Sequence, residues 1–113
     1  MNKRETGSRY EAEAAAFLER QGYRILERNY RDRRGEIDLI AKDGSCLVFV
    51  EVKYRKDVKH GYPEEAVGYY KQQRIRHTAE YYLYSHNLGN DTRCRFDVVS
   101  ILGTEIRLIR DAF

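Results

Sequence analysis

Two β-rich runs separated by an Asp-Gly pair constrain the fold of this chain more than any other feature. The first run covers residues 36–42 and the second covers residues 46–54, with Asp43 and Gly44 between them. An Asp-Gly pair between such runs is among the strongest sequence indications of a tight β-hairpin. The pattern therefore predicts an antiparallel strand pair near the middle of the chain.

Four charged side chains interrupt this hairpin at alternating positions: Glu36, Asp38, Glu51 and Lys53. Residues two apart on a strand share a face, and so do residues directly opposite each other. A two-residue turn at Asp43-Gly44 places Glu36 opposite Glu51 and makes Asp38 its diagonal neighbour, with Lys53 on the same face. A four-residue turn preserves this grouping, whereas a three-residue turn destroys it.

Carboxylates that share a buried face repel one another unless a cation or a proton lies between them. Lys53 supplies one positive charge against the three acidic groups of this face. A divalent metal ion would neutralise the surplus, and oxygen ligands without His or Cys favour Mg²⁺ or Mn²⁺. The alternative is a cross-strand salt-bridge patch at an exposed sheet edge. The residues alone leave both interpretations open.

Two further segments have helical patterns. The first runs from about Glu5 to Gln21, is rich in alanine and is followed by Gly22 at the stop position. Glu11 shares the inward face of this helix with apolar residues, so it is either an acid that points at the sheet or a residue at the rim of the apolar stripe. The second helix is predicted from Glu64 to about His86.

Lys71 lies between Val67 and Ile75 on the inner face of that second helix, where it either serves a site or extends to solvent. Further strands are predicted at residues 23–30, 94–101 and 105–113. The element order is therefore α-β-β-β-α-β-β, and the economical packing is an α/β fold with a mixed sheet flanked by helices.

The 113 residues have the length of a single domain, and no low-complexity tract indicates a linker. The net charge is only +3, but six arginines lie between Arg20 and Arg34. Arginine suits bidentate contact with phosphate, although a solvated face with ion pairs explains the same pattern.

Cys46 and Cys94 lie in apolar runs without metal-binding spacing, which predicts buried free thiols in a reducing compartment. The first residues contain no apolar stretch of the kind found in signal peptides, and no run is long enough to span a bilayer. We therefore expect a cytoplasmic protein without membrane association.

Asp38 followed by Glu51-Val52-Lys53 resembles the PD-(D/E)xK nuclease motif, with Ile37 in the place of the proline. The acidic strand, turn and E-x-K strand after a glutamate-bearing helix are similar to the archaeal Holliday-junction resolvases of that superfamily. More closely, the chain resembles the YraN-like family of small bacterial proteins. The matching stretches are "YEAEAAAFLERQGYRILERNYR", "RGEIDLIAKDG", "LVFVEVKYR", "CRFDVV" and "RDAF".

The resemblance implies a restriction-endonuclease-like fold, in which a mixed sheet is flanked by helices. It also implies that Asp38 and Glu51 bind the metal ion and that Lys53 orients or activates the attacking water. Glu11 lies where resolvase-like members carry a helical acid, and Lys71 and Gln72 lie where such nucleases often place a supporting polar residue.

The expected function is Mg²⁺- or Mn²⁺-dependent hydrolysis of phosphodiester bonds, in DNA rather than RNA and in structured or branched substrates. Arg31, Arg33, Arg34 and Arg55 are expected to contact phosphates, and Lys71 and Gln72 are expected to be nucleic-acid-binding residues with them. Glu36 joins the metal-binding acids through its expected position in the hairpin. The alternatives are a nucleic-acid-binding module that cleaves nothing and a scaffold with a structural cation. A homodimer would suit a two-fold symmetric substrate.

Overall fold

The computed structural model of the protein describes the backbone of residues 3–113 and the side chains of residues 7–113. Its helices and strands follow the predicted order, with a 3₁₀ turn at Pro63–Ala66 before the second helix. The elements are α1 (Lys3–Arg20), β1 (Arg24–Arg31), β2 (Glu36–Asp43), β3 (Cys46–Arg55), α2 (Tyr69–Ser85), β4 (Cys94–Leu102) and β5 (Glu105–Ile109).

The five strands form one sheet in the order β1-β2-β3-β4-β5. Three neighbouring pairs are antiparallel, whereas β3 and β4 are parallel. A parallel pair needs a crossover connection, and α2 lies in that connection. The prediction of an α/β fold with a mixed sheet is therefore confirmed.

The two helices pack on opposite faces of the sheet. Leu18 of α1 belongs to a core cluster with Val48 and Val50 of β3. Ile75 of α2 belongs to a second cluster with Phe49 of the same strand. Since successive residues of a strand point to opposite faces, β3 is covered on both sides, as its nearly continuous apolar sequence predicts.

The hairpin between β2 and β3 forms, but its register differs from the predicted one. The pair nearest the turn is Asp43 with Cys46, so the two-residue turn is Gly44-Ser45 rather than Asp43-Gly44. Gly44 has a positive φ of 60°, a conformation that glycine adopts without steric cost. The register moves by two positions, which preserves the predicted faces of the paired residues but changes which residues oppose each other. Beyond the last pair the alternation breaks, because Ile37 packs in the cluster with Phe49 whereas Leu39 packs in the cluster with Val50.

Two element boundaries and the exposure of one cysteine also differ from prediction. The second helix begins at Tyr69 because Gly68 is extended (φ −82°, ψ 178°) and separates it from the 3₁₀ turn. The last strand ends at Ile109, since Asp111 is left-handed (φ 52°) and the chain turns there. Cys46 is a buried free thiol as predicted, but Cys94 is exposed because it is the first residue of β4.

Among the residues that the structure describes, neither helix is both long and apolar enough to cross a membrane.

Candidate active site

The sheet divides at the predicted acidic residues. β2 and β3 are paired only as far as Leu39 and Val50. Beyond that point β2 continues along β1, while β3 continues along β4. The Asp38 Oδ2 atom accepts a hydrogen bond of 2.8 Å from the backbone N–H of Val52, so a side chain contacts β3 where the backbone ladder has ended. We call this opening between β2 and β3 the fork.

Glu51 lies across the fork from Asp38, one residue beyond the last pair on its own strand. Its side chain is only 4% exposed, and its two oxygens have different surroundings. Oε1 lies 3.1 Å from Lys71 Nζ and 3.8 Å from Lys53 Nζ. Oε2 is buried and has no hydrogen-bond partner among the described residues. Burial and the nearby Asp38 carboxylate raise the pKa of Glu51 to about 8.

The pKa values of the two lysines at Glu51 are shifted in opposite directions. Burial and the neighbouring Lys71 lower the pKa of Lys53. Burial works against the charge of Lys71, but Glu51, Lys53 and Asp38 together outweigh it and raise the pKa of Lys71. Lys71 is therefore the closer and more firmly protonated neighbour of Glu51, whereas Lys53 gives up its proton more readily.

Asp38 also belongs to a second group of carboxylates, together with Glu11 and Glu36. Glu11 of α1, Glu36 and Asp38 each offer one oxygen, and these oxygens lie within 4.8 Å of one another. Partial burial, followed by the charges of Asp38 and Glu36, raises the pKa of Glu11 to about 7. Three carboxylates at this separation favour a bound cation or a retained proton.

The predicted position of Glu36 opposite Glu51 is wrong. Glu36 instead pairs with Arg31 of β1, and Arg31 Nε lies 3.5 Å from Glu36 Oε2. Asp38 is likewise not a diagonal neighbour of Glu51 but faces it across the fork, because the turn lies at Gly44-Ser45.

Asn29 is a site residue that sequence reasoning missed. A carboxylate can only accept hydrogen bonds, so the amide nitrogen of Asn29 must face the acids. In that orientation it lies 2.9 Å from Glu11 Oε2 and 3.0 Å from Glu36 Oε1. Asn29 is left-handed (φ 53°) within β1, a conformation that asparagine tolerates better than most residues. An asparagine inside a strand-like run was the one available signal, and it is a weak one.

A cavity of about 210 Å³ opens between the fork and α2. The carboxylates of Asp38 and Glu51 reach it from the sheet, and basic side chains reach it from the helix. Its lining consists of Gly35, Glu36, Asp38, Glu51, Lys71, Arg74 and Ile75.

Other predicted site residues lie around this cavity rather than in it. Arg31, Arg33 and Arg34 line a second cavity of about 280 Å³ on the neighbouring loop. Arg55 is partly buried, and its Nε atom has no partner among the described residues. The Gln72 amide nitrogen donates a hydrogen bond of 2.9 Å to Val67 O, which steadies the start of α2.

The donor set fits a hard divalent cation. Glu11, Glu36 and Asp38 supply carboxylate oxygens close together, and Glu51 Oε2 is a buried oxygen that lacks a partner among the described residues. Carboxylate oxygens are the ligands that Mg²⁺ and Mn²⁺ prefer in proteins. These residues therefore could hold such an ion.

The structure thus defines a class: a small α/β protein whose mixed sheet opens into a fork lined by carboxylates and lysines. The family model described as "Uncharacterised protein family UPF0102" matches residues 10–101, and the chain belongs to this family. It is 57% identical over 113 residues to a UPF0102 protein of Lachnoclostridium phytofermentans, covering 100% of this chain and 96% of the relative. It is 43% identical over 114 residues to the UPF0102 protein YraN of Salmonella agona, covering 100% of this chain and 87% of the relative. The resemblance to the YraN-like family is therefore confirmed.

Proposed function

We propose that this protein is a metal-dependent endonuclease that hydrolyses phosphodiester bonds in DNA, with structured or branched DNA as its preferred substrate. The observation that carries the proposal is the environment of Glu51. This carboxylate is 4% exposed, faces Asp38 across the fork, and retains one oxygen without a partner among the described residues. Burying such a group is costly, and a catalytic site is where proteins tolerate that cost.

Asp38 and Glu51 would hold the divalent ion, with Glu11 and Glu36 completing the acidic surroundings. When bound there, Mg²⁺ or Mn²⁺ polarises a phosphate oxygen and lowers the pKa of a bound water. Lys71 keeps Glu51 in position through the 3.1 Å ion pair. Lys53, whose pKa is lowered, stabilises developing charge or exchanges a proton with the attacking water.

The basic side chains of the helix and the loop would bind the substrate. Arg74 lines the cavity together with Asp38 and Glu51, so it can contact a phosphate next to the reacting one. Arg31, Arg33 and Arg34 line the neighbouring cavity and would extend this basic surface, and Arg55 would contact a further phosphate. Contacts of this kind position a nucleic-acid backbone without reading its bases, which favours recognition by shape.

The alternative is a nucleic-acid-binding module on the same fold that cleaves nothing. The observation in its favour is the Glu51–Lys71 pair, because a lysine at 3.1 Å already supplies a positive charge to the buried carboxylate. In that case the two lysines replace the metal ion, and the acids have a structural role. A homodimer is compatible with either function and would be measured by analytical ultracentrifugation.

Cleavage assays on branched, flapped and linear DNA with Mn²⁺ or Mg²⁺ test the proposal. We expect metal-dependent cleavage, fastest on branched or flapped DNA. The Lys53→Ala variant should lose about 100-fold or more of the rate, the usual contribution of a group that exchanges protons or stabilises charge. Lys59→Ala is the matched control, since Lys59 is an exposed lysine outside the cavity lining.

Equal binding of these DNAs with no cleavage under any of the metal conditions would sink the nuclease and support the binding module. Cleavage by Lys53→Ala at the wild-type rate would remove Lys53 from the mechanism. Nucleic-acid binding that is absent or insensitive to salt would instead support a scaffold with a structural cation.

A further inference from the structure

The cavity on the β1–β2 loop has a different chemical character from the carboxylate site. It has a volume of about 280 Å³ and is lined by Arg31, Asp32, Arg33, Arg34 and Tyr81. It therefore combines three guanidinium groups with one aromatic ring and the carboxylate of Asp32. Only Gly35 separates Arg34 from Glu36, so this cavity, which we call the arginine cleft, lies directly beside the carboxylate cavity.

The loop that forms the arginine cleft is held firmly against α2. Asp32 Oδ1 accepts hydrogen bonds from Arg34 N at 2.9 Å, Gly35 N at 3.0 Å and Thr78 Oγ1 at 2.9 Å. Thr78 is completely buried, so the loop is anchored to the protein interior. Tyr81 follows Thr78 by one helical turn, and the anchor therefore holds the backbone of the loop beside Tyr81.

The arginines of the cleft have charge available for a ligand. Arg31 is partly neutralised by Glu36 at 3.5 Å. Among the residues that the structure describes, neither Arg33 nor Arg34 takes part in an ion pair, and both are exposed. Guanidinium groups bind phosphate in a bidentate geometry, so the cleft has the chemistry that a phosphate group requires.

The presence of Tyr81 indicates a ligand that carries more than a phosphate group. Its side chain is 49% exposed and forms a wall of the cleft. An aromatic ring beside a basic groove is the arrangement with which proteins bind single-stranded nucleic acid, because each unpaired base stacks on the ring while cations hold the backbone. In a duplex the base faces are stacked on one another and cannot reach such a ring.

We propose that the arginine cleft binds an unpaired nucleotide of the nucleic-acid substrate, with its phosphate on Arg33 and Arg34 and its base stacked on Tyr81. The inference rests on the proposed function and specifies its substrate class: a strand with unpaired nucleotides next to the reacting phosphate. Lys71, Arg74, Thr78 and Tyr81 lie along one side of α2, and ten residues of helix span about 15 Å. A strand that crosses the β1–β2 loop, which covers Thr78, would pass from the carboxylate cavity to the cleft within a few nucleotides.

Fluorescence anisotropy in EDTA tests this site without any cleavage. We expect the protein to bind a labelled single-stranded DNA oligonucleotide more tightly than the blunt duplex of the same sequence. Tyr81→Ala should weaken single-strand binding about tenfold, since one stacked base is lost, and Tyr81→Phe should retain it. Tyr84→Ala is the matched control, because Tyr84 is 80% exposed on the same helix but does not line the cleft.

Two further measurements separate the base from the phosphate. An oligonucleotide of abasic residues should bind wild type and Tyr81→Ala equally. The double variant Arg33→Ala/Arg34→Ala should reduce the slope of log affinity against log salt by about 1.4, which is the loss of two single-strand phosphate contacts. Arg24→Ala, at an exposed arginine outside the cleft, should change the slope by less.

Three results would overturn the inference: no single-strand binding, tighter binding of the duplex, or equal losses in Tyr81→Ala and Tyr84→Ala. These results are independent of the cleavage assay. A protein that cleaves DNA but binds single strands equally well with and without Tyr81 remains a nuclease and lacks the unpaired-nucleotide site. A protein that shows the expected binding but never cleaves has the site and is not a nuclease.

Discussion

The buried carboxyl group of Glu51 lies close to one aspartate and two lysines. Burial and Asp38 raise its pKa, whereas Lys71 and Lys53 lower it. The pKa of Glu51 in the folded protein is about 8, against an ordinary value of 4.5. Between these values the folded state retains a proton that the unfolded state has released. The free energy of unfolding must therefore fall as the pH rises through this range.

Urea denaturation in EDTA at pH 5.5 and pH 8 measures this dependence. We expect the wild-type protein to be less stable at pH 8, and Glu51→Gln to lose part of the difference because its amide does not titrate. Some dependence should remain, since the pKa of Glu11 is also raised, to about 7. Glu19→Gln, at an exposed glutamate of α1, is the control. Equal pH dependence in wild type and Glu51→Gln would contradict the raised pKa.

Asn29 offers a second prediction about a single residue. Asn29→Gly keeps the left-handed backbone at no steric cost but removes the amide that contacts Glu11 and Glu36. We expect Mn²⁺ affinity, measured by titration calorimetry, to fall about tenfold, as is usual when a group that orients metal ligands is lost. Asn87→Gly is the matched control, because Asn87 is also left-handed (φ 55°) but lies after the end of α2. Equal affinities in the two variants would contradict a role for the Asn29 amide.

Among the elements, the β2–β3 hairpin has one firmly tied end and one open end. At the closed end, Arg95 Nη2 of β4 donates to Asp43 Oδ2 at 2.9 Å, and Arg95 Nε donates to Asp97 Oδ1 at 2.8 Å. Asp97 also accepts from the Tyr23 hydroxyl at 2.7 Å and from the backbone N–H of Asp111 at 3.0 Å. This network ties Tyr23, which immediately precedes β1, to the hairpin, β4 and the C-terminal turn. The opposite end of the hairpin opens into the fork.

Asp97→Ala tests the importance of that network for stability. The Asp97 side chain is fully buried, and its removal leaves Arg95 and the Tyr23 hydroxyl with fewer partners. We expect the free energy of unfolding to fall by about 3 kcal/mol, as when one partner of a buried ion pair is removed. Thermal denaturation should show a clear decrease in Tm, whereas Asp91→Ala at an exposed position should not. A decrease no larger than that of the control would mean that the network contributes little.

The hairpin and α2 show which structural features short sequence patterns can predict. The hairpin was predictable because Asp-Gly and alternating residues act over a few positions. The register of the hairpin was not predictable, because Gly44-Ser45 and Asp43-Gly44 are both acceptable turns. The choice between them depends on packing against the neighbouring strands. The start of α2 was missed for a similar reason: Gly68 is a mild helix breaker whose effect depends on the adjacent 3₁₀ turn.

For the whole molecule, a bound divalent ion should appear as added stability. A ligand that binds only the folded state raises the free energy of unfolding, by about 2.7 kcal/mol at 100 times its Kd. We expect Mn²⁺ at pH 8 to raise the Tm of wild type by several degrees and to have little effect on Asp38→Asn or Glu51→Gln. Asp91→Asn, at an exposed aspartate, should respond like wild type. An equal shift in all four proteins would place the ion elsewhere.

The sequence by itself determined the order of the elements, the sheet faces and the acids of the hairpin. These features follow from periodicity and turn chemistry, which act between near neighbours in the chain. Only the tertiary structure decided that the sheet forks at Asp38 and Glu51, that Lys71 rather than Lys53 is the closer partner of Glu51, and that Asn29 joins Glu11 to Glu36. Each of those contacts joins residues that are distant in the chain, so each depends on how whole strands and helices pack.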